Sequence, residues 1–114
     1  MSNLEDNSLW TKKGATLTDK TAQKEFGLTQ EEILDAIKIG KLQYRHNSLY
    51  GNPTLKLLRN QVEKLVIEKY GTDYLKTKQT KTELRKLNTE IRSLKRKISQ
   101  LEKRKKELLD SLDE

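Results

Sequence analysis

The chain has no cysteine and only one histidine, His46, so two of the commonest ligand-bearing side chains are almost missing. Without cysteine there are no disulfides and no thiolate metal ligands, and a zinc site would depend almost wholly on carboxylates. No run of about 18 apolar residues occurs, so the sequence predicts no membrane span. Residues 1–13 lack the apolar core of a secretion signal, and we therefore expect a cytoplasmic protein.

Recognisable catalytic patterns are also missing from the sequence. It contains no nucleophile–histidine–acid set, no glycine-rich phosphate loop and no metal-ligand spacing. The carboxylates fall among lysines on the surfaces of predicted helices and do not form an inward-facing pair. We therefore expect a protein that is not an enzyme, with no metal, no cofactor and no small-molecule ligand.

Apolar residues are scarce for a chain of 114 residues, at 32% against 36% charged. This is too polar for a single compact globule, so part of the chain is predicted to be elongated or disordered. The net charge of +7 is concentrated in residues 72–114, which carry 13 basic and 8 acidic side chains. A basic surplus favours nucleic acid as a partner, but a lysine-rich, solvated helix accounts for it equally well.

Two short helices are predicted in the first third of the chain. Thr18 can cap the first helix, and Gly27 ends it because glycine adopts the left-handed conformation common at helix ends. Thr29 and Glu32 have capping-box spacing and open the second helix, which Gly40 ends. Two helices joined by so short a turn form a helix–turn–helix unit.

A β-hairpin and a third helix are predicted next. Alternating apolar residues end at Tyr44 and resume at Leu49, on either side of a polar turn at residues 45–48. Asn52 can then cap a helix with Pro53 at its first position.

The third helix is predicted to end at Gly71, and Thr72 or Asp73 is predicted to cap a fourth. The predicted domains are a flexible N-terminal arm at residues 1–15, a helix–helix–hairpin–helix head at 16–71 and a coiled-coil dimerisation helix at 72–114. Trp10 is expected to pack on the surface of the head, with stacking on a nucleic-acid base as the less favoured alternative. The predicted core of the head is Phe26, Leu28, Ile33, Leu34, Ile37, Leu42, Tyr44, Leu55, Leu58, Val62 and Leu65.

The order of these elements is accompanied by a set of matching residues. They are Leu17-Thr18, Ala22, Phe26-Gly27-Leu28-Thr29, Ile37, Gly40-Lys41-Leu42, Tyr44-Arg45 and Gly51-Asn52-Pro53. This pattern resembles the MerR and excisionase type of winged-helix DNA-binding domain. It is also similar to the DNA-binding domain of the xeroderma pigmentosum group A repair proteins, in which a hairpin leads into a helix and then a long basic helix.

The resemblance implies a mainly α fold with a small winged helix–turn–helix head. In the family, the second helix enters the major groove and the hairpin, or wing, lies beside the DNA backbone. The positions that match this DNA-binding surface are Thr29, Gln30, Lys38, Arg45, His46 and Asn47. Arginine can contact guanine or phosphate through two hydrogen bonds, and glutamine can read adenine.

The last third of the chain has the spacing of a coiled coil. Apolar residues recur at intervals of three and four, and eight of nine seam positions are Leu or Ile, the ninth being Lys105. At ~1.5 Å per residue the seam is roughly 44 Å long, too long for the head to cover, so we predict a homodimer. The predicted dimerisation residues are Leu84, Leu87, Ile91, Leu94, Ile98, Leu101, Leu108 and Leu112.

The orientation of this coiled coil is less strongly specified. Isoleucine at the a positions of the heptad repeat with leucine at the d positions favours a parallel dimer. An antiparallel dimer gives more attractive flanking pairs, among them Glu83–Arg104 and Glu90–Lys97, and it spares Lys105 from facing its own copy. MerR-type regulators dimerise through antiparallel coils, and that orientation is slightly favoured here.

Two functions remain open from the sequence. The first is a dimeric protein that binds double-stranded DNA, either a transcriptional regulator or a DNA accessory factor. The second is a coiled-coil scaffold or adaptor whose head binds another protein. The salt dependence of binding distinguishes the two, because phosphate contacts weaken steeply as salt rises.

Overall fold

The structure, a computed structural model, describes residues 9–49 and 51–113. The predicted mainly α class is confirmed, and a small three-stranded sheet accompanies the helices. The chain divides into two compact units, with the boundary between Gln79 and Thr80. The elements are β1 (Thr16–Thr18), α1 (Asp19–Phe26), α2 (Gln30–Lys38), β2 (Tyr44–Leu49), β3 (Asn52–Leu58), α3 (Arg59–Tyr70) and α4 (Thr72–Leu112).

The first two helices begin and end where their capping residues predict. The Thr18 hydroxyl accepts a hydrogen bond of 3.1 Å from the Thr21 amide at the start of α1. At the start of α2, the Thr29 hydroxyl accepts from the Glu32 amide and the Glu32 carboxylate accepts from the Thr29 amide, which is the predicted capping box. The last helical residue of α2 is Lys38, two residues before Gly40.

Gly27 is required by both the backbone and the packing. It ends α1 with a φ of 74°, in the left-handed region, and its amide donates to the carbonyl of Gln23. A Cβ atom at this position would lie 2.9 Å from the hydroxyl of Tyr74. That hydroxyl donates a hydrogen bond of 2.8 Å to the carbonyl of Phe26, so the start of α4 packs directly on the end of α1.

The prediction of a helix from Asn52 is wrong, because residues 52–58 form β3 and α3 begins only at Arg59. β3 is the central strand and pairs antiparallel with both β1 and β2, so its backbone groups are satisfied on two sides. This pairing outweighs the local capping signal. Pro53 is tolerated because it lies near the beginning of the strand.

The hairpin is therefore longer than the sequence predicts. The turn predicted at residues 45–48 is wrong, because those residues lie within β2 and pair with β3. The chain reverses between Leu49 and Asn52, where Gly51 has a φ of 83°. Tyr50, which was assigned to the second strand, lies outside the described residues. β1 was not predicted, and the Arg59 amide donates to Ala15 at 2.9 Å just before it.

One buried cluster forms the core of the first unit and draws on its sheet, on α1, α2 and α3, and on the start of α4. Two predicted core residues are wrong, since Leu34 and Tyr44 are each 45% exposed. Leu57 of β3 is fully buried in the cluster instead. The cluster is Leu17, Ala22, Phe26, Leu28, Ile33, Ala36, Leu42, Leu57, Val62, Leu65, Val66 and Leu75.

Two buried carboxylates connect the elements of this unit. Asp19 accepts hydrogen bonds from the amides of Lys20 and Leu55, so it joins the start of α1 to β3. Glu25 accepts a bond of 2.6 Å from Arg59, which joins α1 to α3, and its side chain is only 8% exposed. A paired, largely buried carboxylate of this kind is costly to disrupt because its partner would be left unpaired.

In the described chain, the second unit is the remainder of α4, up to Leu112, followed by Asp113. The predicted seam lies within this helix, and its eight apolar side chains are between 47% and 81% exposed in the single chain. α4 itself runs for 41 residues without a break.

Candidate nucleic-acid interface

Alternate residues of β2 face opposite sides of the sheet. Tyr44 and His46 lie on the side of α2, where their rings meet edge to face at 5.4 Å. Arg45 points to the other side, and its directly paired neighbour on β3 is Lys56. The hairpin therefore has an aromatic face towards α2 and a basic face away from it.

Trp10 organises the basic face. Its side chain is only 4% exposed, and the guanidinium carbon of Arg45 lies 4.8 Å from the centre of its ring. The Lys56 ammonium donates a hydrogen bond of 3.1 Å to the Trp10 carbonyl. These contacts hold the Arg45 and Lys56 cations beside Trp10.

Two more lysines follow Trp10 closely in the chain. Lys12 and Lys13 are exposed, in a turn closed by a hydrogen bond from the Ala15 amide to the Lys12 carbonyl. Within the described residues, no carboxylate pairs with Lys12, Lys13 or Lys56. We call Lys12, Lys13, Arg45 and Lys56 the basic cluster.

The predicted helix-two contacts are occupied by local hydrogen bonds. The Thr29 hydroxyl caps α2. The Gln30 amide group donates to Asp19 and accepts from Gln23, so both of its ends are engaged within the head. Both side chains therefore take part in bonds that organise the first two helices.

Lys38 and His46 line a groove between α2 and the hairpin, on the side of the sheet opposite the basic cluster. Asn47 shares the alternation of Arg45, and its carbonyl accepts from the Thr54 hydroxyl at 3.5 Å. The six predicted DNA-binding residues are thus not brought into one surface. Two cap or brace α2, two line the groove, and Arg45 and Asn47 lie on the basic face.

Four members of this site were missed: Trp10, Lys12, Lys13 and Lys56. Lys56 was assigned to a helix, so its pairing with Arg45 could not be inferred. Trp10 was expected to pack on the head, and its burial agrees with that, but the sequence does not indicate which side chains it would contact. The signal that was present is the run Trp10-Thr11-Lys12-Lys13, in which the only tryptophan precedes two lysines.

A second polar cluster fixes the other end of the head. The Tyr70 hydroxyl donates a bond of 2.6 Å to Glu32, and the Lys69 ammonium lies 3.6 Å from the same carboxylate oxygen. The Tyr70 hydrogen bond, the Thr29 amide and the Lys69 charge together lower the pKa of Glu32 below its ordinary value. The same hydrogen bond raises the pKa of Tyr70, because ionised tyrosine cannot donate it.

In the part of the chain that the structure describes, His, Asp and Glu side chains do not come together in a group that could hold a metal ion. Among residues 9–49 and 51–113, no helix combines the length and hydropathy needed to cross a bilayer. Comparison with protein-family models, curated proteins and solved structures finds no match for this chain.

Proposed function

We propose that this protein is a dimeric DNA-binding protein, a transcriptional regulator or DNA accessory factor, whose head contacts duplex DNA through the basic cluster. The observation that carries the proposal is the basic cluster, in which two cations contact the buried Trp10 and two lysines follow it closely in the chain. Three of the four cations have no carboxylate partner among the described residues. Fixed cations on a surface without neutralising carboxylates are what the phosphate backbone requires.

The hairpin supports this surface better than α2 does. The exposed side of α2 carries Glu31 and Asp35, which would repel phosphate in the major groove. Lys38 is the one cation on that helix. Lys12, Lys13 and Lys56 of the basic cluster form no salt bridge with the described residues, and the winged-helix resemblance also assigns backbone contacts to the hairpin.

The coiled coil supplies the dimer in this proposal. The exposed leucines and isoleucines of the second unit need an apolar partner, and a second copy of the same seam is the simplest one. A dimer doubles the number of basic clusters, so two moderate contacts to one duplex combine through their high effective concentration. The outward positions of the same helix add cations for the backbone: Arg85, Lys86, Arg92, Arg96, Lys103 and Lys106.

Titration of labelled duplex DNA with the full chain at several salt concentrations tests the proposal. Replacing Lys12 and Lys13 with Ala should weaken binding and lower the slope of log affinity against log salt by about one for each phosphate interaction removed. Arg45→Ala should cost roughly 1–3 kcal/mol if the arginine binds a base, or lower the slope by about one if it binds phosphate.

The double variant Lys24→Ala/Lys64→Ala is the matched control. It removes the same charge from exposed lysines of α1 and α3, outside the basic cluster. It should change the slope less than the Lys12/Lys13 pair does. Equal effects of the two pairs would mean that binding depends on the net charge of the protein and not on the basic cluster. An absence of duplex binding at ~50 mM salt would contradict the proposal outright. The scaffold or adaptor function would then take its place.

A further inference from the structure

An apolar groove runs along α2 on the side of the hairpin opposite the basic cluster. Its volume is about 590 Å³, which is within the range of clefts that bind ligands. Leu34 and Ile37 of α2 form one wall, and Tyr44 and Leu55 of the hairpin form the other. Leu34 and Tyr44 remain 45% exposed although they are among the larger apolar side chains of the head.

The rim of this groove is acidic towards the start of α2. Glu31 and Asp35 line it from α2, four residues apart on one face of the helix. Like charges at this spacing destabilise a helix slightly, and neither carboxylate is in a salt bridge with any described residue. Lys38 and His46 lie further along the rim, so the acidic side chains are concentrated towards the start of α2.

The length of the groove matches two turns of a helix. From Glu31 to Lys38 is seven residues, or about 10 Å along the axis of α2 at ~1.5 Å per residue. An amphipathic helix that docks in a groove presents anchors at positions i, i+3 or i+4, and i+7, which span the same distance.

We propose that this groove docks an amphipathic helix of a partner protein, with apolar anchors between α2 and the hairpin and Lys or Arg residues opposite Glu31 and Asp35. The apolar walls supply the affinity, and the two carboxylates select a basic partner. Because β2 turns the groove residues and the basic cluster to opposite sides of the sheet, the head can hold the partner and a polyanion together. The site does not depend on whether that polyanion is DNA.

A 14-residue peptide of leucine and lysine at helical spacing is a suitable probe. Added to the isotopically labelled full chain, it should shift the backbone amide signals of α2 and of residues 44–46. A peptide with glutamate in place of each lysine should shift them much less. The amides of residues 84–112 report separately on any capture by the coiled-coil seam, so the two sites are read independently.

Variants test each part of the groove. Leu34→Ala should weaken the groove-specific binding about tenfold, because it removes a central apolar contact. The variant should still fold, because a half-exposed side chain contributes little to the stability of the head. Glu31→Lys/Asp35→Lys should reverse the preference, so that the glutamate peptide binds better than the lysine peptide. Asp110→Lys/Asp113→Lys makes the same change in net charge on α4 and the residue after it, and should leave the preference unaltered.

Three results would overturn the proposal. In the first, the lysine peptide shifts only the seam amides, or none. In the second, the charge-reversed variant keeps its preference for lysine, so the carboxylates do not select the partner. In the third, the groove signals shift with increasing protein concentration and no peptide, which would make a second copy of this chain the occupant.

Discussion

The two units of this chain differ in how far their apolar side chains are buried. In the first unit, Phe26, Ile33 and Val66 are fully buried by neighbours from the same chain. In the second, Leu84 and Ile98 are 56% exposed although the spacing of the seam is regular. Exposed leucine and isoleucine over four heptads form a far larger apolar strip than soluble monomers usually carry.

The difference teaches which part of the molecule depends on a partner. A core closed within the chain gives the first unit a folding free energy of its own, whereas an open seam gains its burial only on association. The stability of the second unit should therefore depend on protein concentration, and that of the first should not.

The largest expected effect comes from placing charge in the seam. Ile91→Asp/Ile98→Asp should convert the proposed dimer to monomers, because each dimer would have to bury four carboxylates in an apolar interface. Sedimentation velocity measures the change directly. Circular dichroism should also show a loss of helix, since a long helix without its partner is marginal in water.

Ser93→Asp/Ser99→Asp is the control for that experiment. It adds the same two carboxylates to outward positions of the same helix, where the dimer should be unchanged. If the seam variant sediments as the native protein does, the comparison between the two units fails, and the exposed leucines need another explanation.

The next largest effect should come from a cavity in the first unit. Phe26→Ala removes a fully buried ring and should cost about 3–5 kcal/mol, close to the whole stability of a small domain. Trp10 is the only tryptophan and is buried in this unit, so its fluorescence reports on the head alone. Far-ultraviolet circular dichroism is dominated by α4.

The two signals should therefore separate in this variant. The fluorescence transition should move to a lower temperature, while most of the helical signal persists to the native melting temperature of the coil. A single shared transition for both probes would mean that the two units fold as one, against their division at Gln79.

The smallest effect concerns Glu32 and its pH dependence. Its pKa is lowered in the folded chain by the Tyr70 hydrogen bond, the Thr29 amide and the Lys69 charge, so its contribution to stability is fully present above the unfolded pKa. Glu32→Gln should destabilise the head by about 0.5–1 kcal/mol at neutral pH. The difference should shrink as the pH falls through the lowered pKa, below about 4.5.

Asp110→Asn provides the comparison for the pH series. Its side chain is exposed on α4 and forms no salt bridge with the described residues. This substitution should therefore leave the fluorescence-monitored stability unchanged at both neutral and acidic pH. A Glu32→Gln penalty that persists unchanged to pH 3 would assign the effect to the shape of the amide rather than to the charge.

The sequence predicted the helix boundaries well where the capping hydrogen bonds join residues close together in the chain. The Thr18 cap, the box formed by Thr29 and Glu32, and the glycine after α1 are all confirmed, because each involves residues within three or four positions of one another. These interactions do not depend on which other element lies nearby. The long helix begins at Thr72, so one of the two residues predicted to cap it is its first helical residue.

The sheet was mispredicted because its pairing is not local. Asn52-Pro53 is a strong helix-start signal, and only the partners on both sides make β3 a strand. Once residues 52–58 were assigned to a helix, Lys56 could not be placed beside Arg45. The candidate site was consequently predicted as one surface, whereas its residues face two sides of the sheet.

The alternation along β2 also has a consequence for inheritance. Three consecutive residues of this strand lie on alternating surfaces. Tyr44 and His46 line the groove, whereas Arg45 between them belongs to the basic cluster. Deleting one codon early in this strand would shift the pairing with β3 by one residue. Arg45 would then face the apolar groove, and His46 would face Trp10. Substitutions can tune either surface separately, whereas changes of length in this strand would damage both at once and should be rare among descendants of the gene.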